Sequence, residues 1–149
     1  MTAQTTAQWF VSTQDAQWQD AGAPTPGTTS DKRLALTGER GQAVRGFGGT
    51  FNELGYVAIS ALPAADQEQI FRELFAPDEL NLRVNRSAVG ANDFASSWYS
   101  YDETPGDFAL EHFSVDRDED AVIPYIREAQ RYQDDMILHC SPWSPPTRM

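Results

Sequence analysis

The stretch LNLRVNRSAVGANDF, residues 80–94, predicts a β-strand that runs into a polar loop. Side chains on a strand point alternately to opposite faces, so a period of two favours a strand over a helix. The alternating residues, less clear at the last two, are Leu80, Leu82, Val84, Arg86 and Ala88. This strand is the centre from which the rest of the fold is predicted.

Helical patterns lie on both sides of this strand. Before it, ISALPAADQEQIFRELFAPDE (residues 59–79) predicts a helix that starts near Asp66 and ends at Pro77. After it, a long polar loop runs to about residue 115, and RDEDAVIPYIREAQRYQ (residues 117–133) predicts a second helix, which Pro124 either kinks or starts. The apolar residues that share a helix face are Ile70, Phe71, Leu74 and Phe75 in the first and Val122, Ile126 and Ala129 in the second.

Two further strands are predicted outside the helices, at 43–47 and 136–140. Strands that alternate with helices favour a parallel sheet with right-handed crossovers, and so an α/β fold. In such sheets ligands lie at the carboxyl ends of the strands. The segments that follow the three strands are rich in polar and aromatic residues: GFGGTFNE (46–53), GANDFASSWYSYDE (90–103) and SPWSPP (141–146).

The glycines of GFGGTFNELG, residues 46–55, raise the alternative of a phosphate-binding loop. The dinucleotide fingerprint needs glycine at its sixth position, where Phe51 stands, and no Gly-Lys-Ser/Thr follows. The preferred interpretation is structural: Gly46, Gly48 and Gly49 allow a positive φ or a close approach of two backbones.

Three residues in these segments are candidates for ligand contact. Arg86 and Asp93 offer a guanidinium and a carboxylate near one strand end, although Asn92-Asp93 is also ordinary turn chemistry. Trp143 offers an apolar ring face with a polar N–H edge, or it fills the rim of the fold. Trp98, Tyr99 and Tyr101 raise the same question.

The acidic residues fit two interpretations. Paired carboxylates are what glycoside hydrolysis requires, but a solvated acidic loop is the nearer interpretation of the turn-like YDETPGD, residues 101–107. His139 and Cys140 are neighbours on a strand, so they point to opposite faces and form no dyad. The acidic residues are Glu53, Asp93, Asp102, Glu103, Asp107 and Glu111.

Composition excludes several classes of function. The 149 residues carry a net charge of −11, which disfavours nucleic acid and anionic membranes. One cysteine rules out an intrachain disulfide, and the sequence predicts no metal site and no cofactor. We also expect no membrane span and no signal peptide, and hence a cytoplasmic protein unless the gene start is misplaced.

Taken together, GFGGTFNE, the stretch from Arg86 to Ala129 and SPWSPP resemble glycoside hydrolase family 30, which contains glucosylceramidases, β-1,6-glucanases and related β-glycosidases. The resemblance runs from about residue 41 to residue 149. It implies an α/β fold built as the first three βα units of a (β/α)8 TIM barrel, over 41–149. It also implies that residues 1–40 are N-terminal strands of a β-sandwich side domain and a linker.

The resemblance further implies substrate-binding roles for three residues. Asp93 matches an aspartate that hydrogen-bonds glucose hydroxyls, Arg86 an arginine that buttresses the site, and Trp143 a tryptophan that lines the sugar pocket. The family commonly has tryptophan where this chain has Arg148, which changes the aromatic rim.

The resemblance implies a retaining mechanism that uses two glutamates, which follow the fourth and seventh barrel strands of the family. Both lie beyond residue 149, so we expect an inactive N-terminal portion of a β-glucoside hydrolase that self-associates or needs the rest of the barrel. The expected substrate is a β-glucoside or an oligosaccharide. The alternatives are a carbohydrate-binding remnant, a subunit that completes a barrel with a second chain, and an α/β protein without a sugar site.

Overall fold

The fold is described from a computed structural model, which describes residues 8–23 and 37–149. The chain divides into two compact units, Met1–Gln42 and Ala43–Met149. In the first unit, β1 (Phe10–Val11) pairs antiparallel with β2 (Gln19–Asp20). The sequence pattern of residues 33–36 predicts a further short strand, which lies outside the described residues. The assignment of this unit to a β-sandwich stays a prediction.

The second unit is built on a three-stranded parallel sheet. Its strands are β3 (Thr50–Phe51), β4 (Val84–Val89) and β5 (Ile137–Pro142), in the spatial order β3-β4-β5. The predicted parallel arrangement is therefore confirmed. The register aligns Arg86 with His139, and both lie on the face opposite to Cys140.

The first strand of this sheet lies later in the chain than predicted. The segment 43–47 forms no strand, and only Phe47 makes an isolated bridge, to Leu82. Pairing with β4 begins at Thr50. The prediction at 43–47 was wrong because glycine has a low strand propensity. Gly46 and Gly48 lie against β4 and not, as predicted, in a turn beyond the first strand.

The reason for the glycines is close packing of two backbones. A Cβ on Gly48 would lie 1.8 Å from the carbonyl oxygen of Val84, far inside van der Waals contact. Gly46 has a φ of +154°, and a Cβ there would meet Arg83 at 3.3 Å. The structural interpretation holds for these two glycines but not for Gly49, whose added Cβ would meet nothing within 4 Å.

Four helices cover the second unit: α1 (Glu53–Ser60), α2 (Ala64–Phe75), α3 (Asp116–Glu119) and α4 (Val122–Gln130). Sequence patterns missed α1, which contains Gly55 and the β-branched Val57 and Ile59, residues of low helix propensity. The side chain of Asn52 starts this helix by accepting a hydrogen bond from the Gly55 N–H at 2.7 Å.

The two predicted helices have different bounds from those expected. The first begins at Ala64, directly after Pro63, rather than near Asp66. The second is broken at Asp120 and Ala121 into α3 and α4. Pro124 lies in the first turn of α4, where its missing N–H needs no partner.

An aromatic core holds the helices to one face of the sheet. Phe51 of β3 contacts Phe75 and packs edge-to-face on Tyr125 of α4, with ring centroids 4.8 Å apart. Phe71 and Ala129 complete the buried cluster. The opposite face of the sheet carries Arg86 and forms the floor of the cavity described below. No helix in the described ranges is long and apolar enough to cross a membrane.

Candidate functional site

A cavity of about 150 Å³ lies at the carboxyl ends of β3 and β4. The three candidate residues, Arg86, Asp93 and Trp143, all line it. Thr50 and Phe94 are among the other lining residues. The structure therefore brings together side chains that are up to 57 positions apart in the chain, counted as 143 minus 86.

Arg86 holds the tryptophan rather than the aspartate. Its Nε donates a hydrogen bond to Ser141 Oγ at 2.8 Å, and its guanidinium carbon lies 4.4 Å from the centroid of the Trp143 ring. A cation over an indole face is attracted by the ring quadrupole. Among the described residues, Arg86 forms no ion pair with Asp93, so its positioning effect acts through Trp143.

Trp143 directly follows β5 and remains 45% exposed. Its backbone N–H donates to the Val89 carbonyl at 3.2 Å, which extends the pairing of β5 with β4 by one residue. Arg86 covers one side of the ring. The rest of the indole surface is accessible to another molecule. The side chain is not a buried filler of the rim.

Asp93 presents a carboxylate that the described part of the chain leaves without a hydrogen bond or salt bridge. The turn that the sequence assigns to Asn92-Asp93 is closed by the asparagine, since Asn92 Oδ1 accepts from the Phe94 N–H at 2.8 Å. Asp93 is exposed and lines the cavity. Its oxygens are therefore accessible to donors in the cavity.

An ion pair between the buried Glu53 and the partly exposed Arg117 was not found from the sequence. Glu53 accepts hydrogen bonds from the Ser96 N–H at 2.9 Å and from Ser96 Oγ at 2.7 Å, and Arg117 Nη2 lies 2.6 Å from its carboxylate. In addition, the Leu54 N–H donates to the Phe94 carbonyl at 3.0 Å. These contacts fix the loop that carries Asp93 to the start of α1.

Glu53 gives the second unit a pH-dependent stability. Burial alone would raise its pKa, but the hydrogen bonds from Ser96 and the charge of Arg117 together lower the pKa below the ordinary value of 4.5. A carboxyl with a depressed folded-state pKa contributes stability that is complete above its unfolded pKa. That contribution is lost as the pH falls through the folded pKa.

We expect Glu53→Gln to reduce the loss of stability between about pH 5 and pH 3, the window that starts near an ordinary glutamate pKa. Urea unfolding followed by circular dichroism at several pH values measures it. Glu68→Gln, which changes an exposed glutamate of α2, is the matched control and should keep the wild-type dependence. An unchanged pH dependence in Glu53→Gln would contradict this role.

Two tyrosines of the long loop are partly buried and connect the loop to α3 by hydrogen bonds. Tyr99 donates from its hydroxyl to Asp118 at 2.6 Å, and Tyr101 donates to the same carboxylate. Burial, followed by the hydrogen bond to Asp118, raises the pKa of Tyr101 to about 12. The pKa of Tyr99 is raised by the same causes. Trp98, by contrast, stays exposed.

The acidic loop is only partly solvated, so that interpretation was wrong for two of its residues. Asp107 is buried and accepts from the Glu111 N–H at 3.0 Å and the His112 N–H at 2.8 Å. Asp102 is also buried and pairs with Arg148. In the described ranges, no group of three or more His, Cys, Asp or Glu side chains is placed to hold a metal ion.

Arg148, which replaces the expected tryptophan, ties the chain's last residues to the loop. Its Nη2 donates to Asp102 Oδ2 at 2.8 Å and its Nε donates to the Asp102 carbonyl at 3.0 Å. Nearby, Thr147 donates from its N–H to Glu103. At this position the chain therefore has an ion pair with a buried carboxylate instead of an aromatic rim.

Residues 44–149 match the model of the glycosyl hydrolase family 30 TIM-barrel domain. Putative glucosylceramidase 2 of Caenorhabditis elegans is 36% identical over 106 residues, which cover 70% of this chain and 20% of the relative. Endo-1,6-β-D-glucanase of Neurospora crassa is 29% identical over 131 residues, 84% of this chain and 27% of the relative.

Among solved structures, SrfJ from Salmonella typhimurium superposes with a TM-score of 0.66 at 32% sequence identity. The match covers 72% of this chain and 25% of SrfJ. The chain thus spans a fifth to about a quarter of the length of the relatives it matches.

Proposed function

The chain belongs to glycosyl hydrolase family 30, and on that premise we propose that it supplies one part of the sugar pocket of a retaining β-glycosidase. In this proposal, residues 41–149 form the first three βα units of a (β/α)8 barrel. Residues 1–40 contribute strands to a β-sandwich side domain and a linker. The substrate is a β-glucoside or an oligosaccharide, and the location is cytoplasmic.

The observation that carries the proposal is the common cavity of Arg86, Asp93 and Trp143 at the strand ends. The unpaired carboxylate of Asp93 accepts hydrogen bonds from two neighbouring sugar hydroxyls, as a charged acceptor does well. The indole of Trp143 packs on the apolar C–H face of the ring. Arg86 keeps that indole in place through its stacking and its bond to Ser141.

A retaining mechanism needs two carboxyl groups about 5–5.5 Å apart, one as acid and base and one as nucleophile. Asp93 lines the cavity, whereas Glu53 is occupied by Ser96 and Arg117. Following the resemblance to the family, in which the two glutamates come after the fourth and seventh barrel strands, we propose that both catalytic glutamates lie outside these 149 residues. They come from a downstream part of the same protein or from a second chain that completes the barrel.

The same cavity supports a second candidate, a non-catalytic carbohydrate-binding protein. An accessible carboxylate beside an exposed tryptophan suffices for binding, and nothing in that pair cleaves a glycosidic bond. The downstream DNA separates the two candidates. A frame that encodes an Asn-Glu pair and a later glutamate at a strand end supports the enzyme, and its absence supports the binding protein.

We expect the 149-residue chain to bind methyl β-glucoside and to leave an aryl β-glucoside unhydrolysed. Asp93→Asn should weaken binding by about tenfold or more, because a hydrogen bond to a charged group contributes about 1.5–3 kcal/mol. Calorimetric titration and release of the aryl alcohol measure the two effects. The control is Asp78→Asn, an exposed aspartate outside the cavity.

Either of two outcomes would contradict this account. A folded chain that does not bind the glucoside would show that Arg86, Asp93 and Trp143 do not form a sugar-binding pocket in it. Hydrolysis above background by the chain alone would show that its own carboxylates suffice for catalysis.

A further inference from the structure

A second cavity, of about 240 Å³, adjoins the one that contains Arg86. Asn92, Asp93 and Trp143 line both cavities, and Trp98 lines only the second. We propose that the second cavity is a carbohydrate subsite with Trp98 as its aromatic platform. The site then takes a β-linked saccharide of at least two sugar units, an inference that rests on the proposed function.

Trp98 is exposed although the loop around it is fixed. Its side chain is 52% exposed, so it is not a component of the core. On one side of it, Ser97 Oγ accepts from Arg117 Nη2 at 3.3 Å. On the other side, the Tyr99 hydroxyl donates to Asp118. The backbone at Trp98 is therefore held on both sides while the indole faces the cavity, which lowers the entropic cost of binding.

One turn positions both tryptophans. The Ala91 N–H donates to the Tyr99 carbonyl at 2.9 Å, next to Trp98. The Ala91 carbonyl accepts from Ser144 Oγ at 2.8 Å, next to Trp143. The residues next to both tryptophans are thus bonded to a single residue after β4, Ala91.

A glycine makes this turn possible. Gly90 has a φ of +81°, and a Cβ there would lie 3.2 Å from the Ser144 carbonyl oxygen. A side chain at this position would push the segment that carries Trp143 away from the turn.

The polar lining favours a sugar over a lipid chain in the second cavity. Asn92, Ser97 and Ser144 offer amide and hydroxyl groups beside the indoles. The carboxylate of Asp93 lies between the cavities and can accept from hydroxyls on either side. An acyl chain would satisfy none of these groups, and burying them unpaired would cost free energy.

Size supports the same conclusion. Ligand cavities usually have volumes of about 300–1,000 Å³. The first cavity alone falls below this range, and the two together lie within it. The second cavity therefore adds room beyond that of the first.

The test is a pair of ligand-observed NMR titrations of the 149-residue chain, one with methyl β-glucoside and one with the methyl glycoside of a β-linked glucose disaccharide. We expect the disaccharide to bind about tenfold more tightly, the gain from packing a second ring on an indole. Trp98→Ala should remove this gain and leave the affinity for the monosaccharide unchanged. Trp98→Tyr should keep most of it, and Phe108→Ala, which changes an exposed aromatic outside both cavities, should change neither affinity.

The outcomes separate this proposal from the proposed function. If the chain binds neither glycoside, both fail. If it binds the monosaccharide but gains nothing from the second ring, or if Trp98→Ala weakens both ligands equally, only the subsite is refuted. A Trp98-dependent gain with a short-chain alkyl β-glucoside, and none with the disaccharide, would refute the saccharide and assign the cavity to a lipid. Circular dichroism checks that each variant folds. If Trp98→Ala does not fold, the test rests on Trp98→Tyr, and loss of the disaccharide gain in that folded variant would refute the aromatic platform.

Discussion

Gly48→Ala is expected to destabilise the second unit by about 3 kcal/mol or more. The new methyl group would lie 1.8 Å from the carbonyl oxygen of Val84. That oxygen belongs to the backbone of β4, so no side-chain rotation relieves the overlap, and the segment before β3 must move away from the sheet. Equilibrium unfolding in urea, followed by circular dichroism, measures the change in the free energy of unfolding.

The neighbouring glycine provides the control. A Cβ on Gly49 would meet nothing within 4 Å, and its N–H keeps its hydrogen bond to Asn85 Oδ1 at 2.9 Å. Gly49→Ala should therefore change the free energy of unfolding by no more than about 0.5 kcal/mol. Equal effects of the two substitutions would show that β3 and β4 do not pack as described.

Phe71→Ala is expected to cost about 3–5 kcal/mol of the free energy of unfolding. Phe71 is 2% exposed and packs edge-to-face on Tyr125, with ring centroids 5.7 Å apart. Its removal leaves a cavity where α2, α4 and β3 meet. Domains of this size are stable by about 5–15 kcal/mol, so the loss leaves the variant marginal or unfolded at room temperature.

Phe108→Ala is the matched control for this prediction. Phe108 is 93% exposed, so its truncation should leave the urea midpoint almost unchanged. A Phe71→Ala variant as stable as the wild type would mean that the helices are not held to the sheet by this aromatic cluster.

Sequence patterns predicted the parallel sheet because its determinants are local. The alternation around Val84 and the apolar residues at helical spacing in 64–75 are each contained within one element. The position of β3 could not be predicted from such patterns, because it depends on Gly48 lying against β4, a contact between segments 36 residues apart, counted as 84 minus 48. The start of α1 depends on one side-chain hydrogen bond, from the Gly55 N–H to Asn52.

The same contrast between local sequence signals and long-range contacts applies to the candidate site. The resemblance of short motifs identified Arg86, Asp93 and Trp143, and the structure places them in one cavity. Their substrate-binding roles remain predictions. The pairing of Arg117 with Glu53, 64 residues apart, and of Arg148 with Asp102, 46 apart, follows from tertiary packing and leaves no periodic signal in the sequence.

The most direct test of the central claim is the methyl β-glucoside titration read out at individual tryptophans. The chain has four tryptophans, so its indole N–H groups give four separate signals in a two-dimensional ¹H–¹⁵N NMR spectrum. The account predicts a saturable shift of the Trp143 indole signal. A folded chain in which the Trp143 signal does not move at saturating glucoside would contradict the proposed sugar pocket.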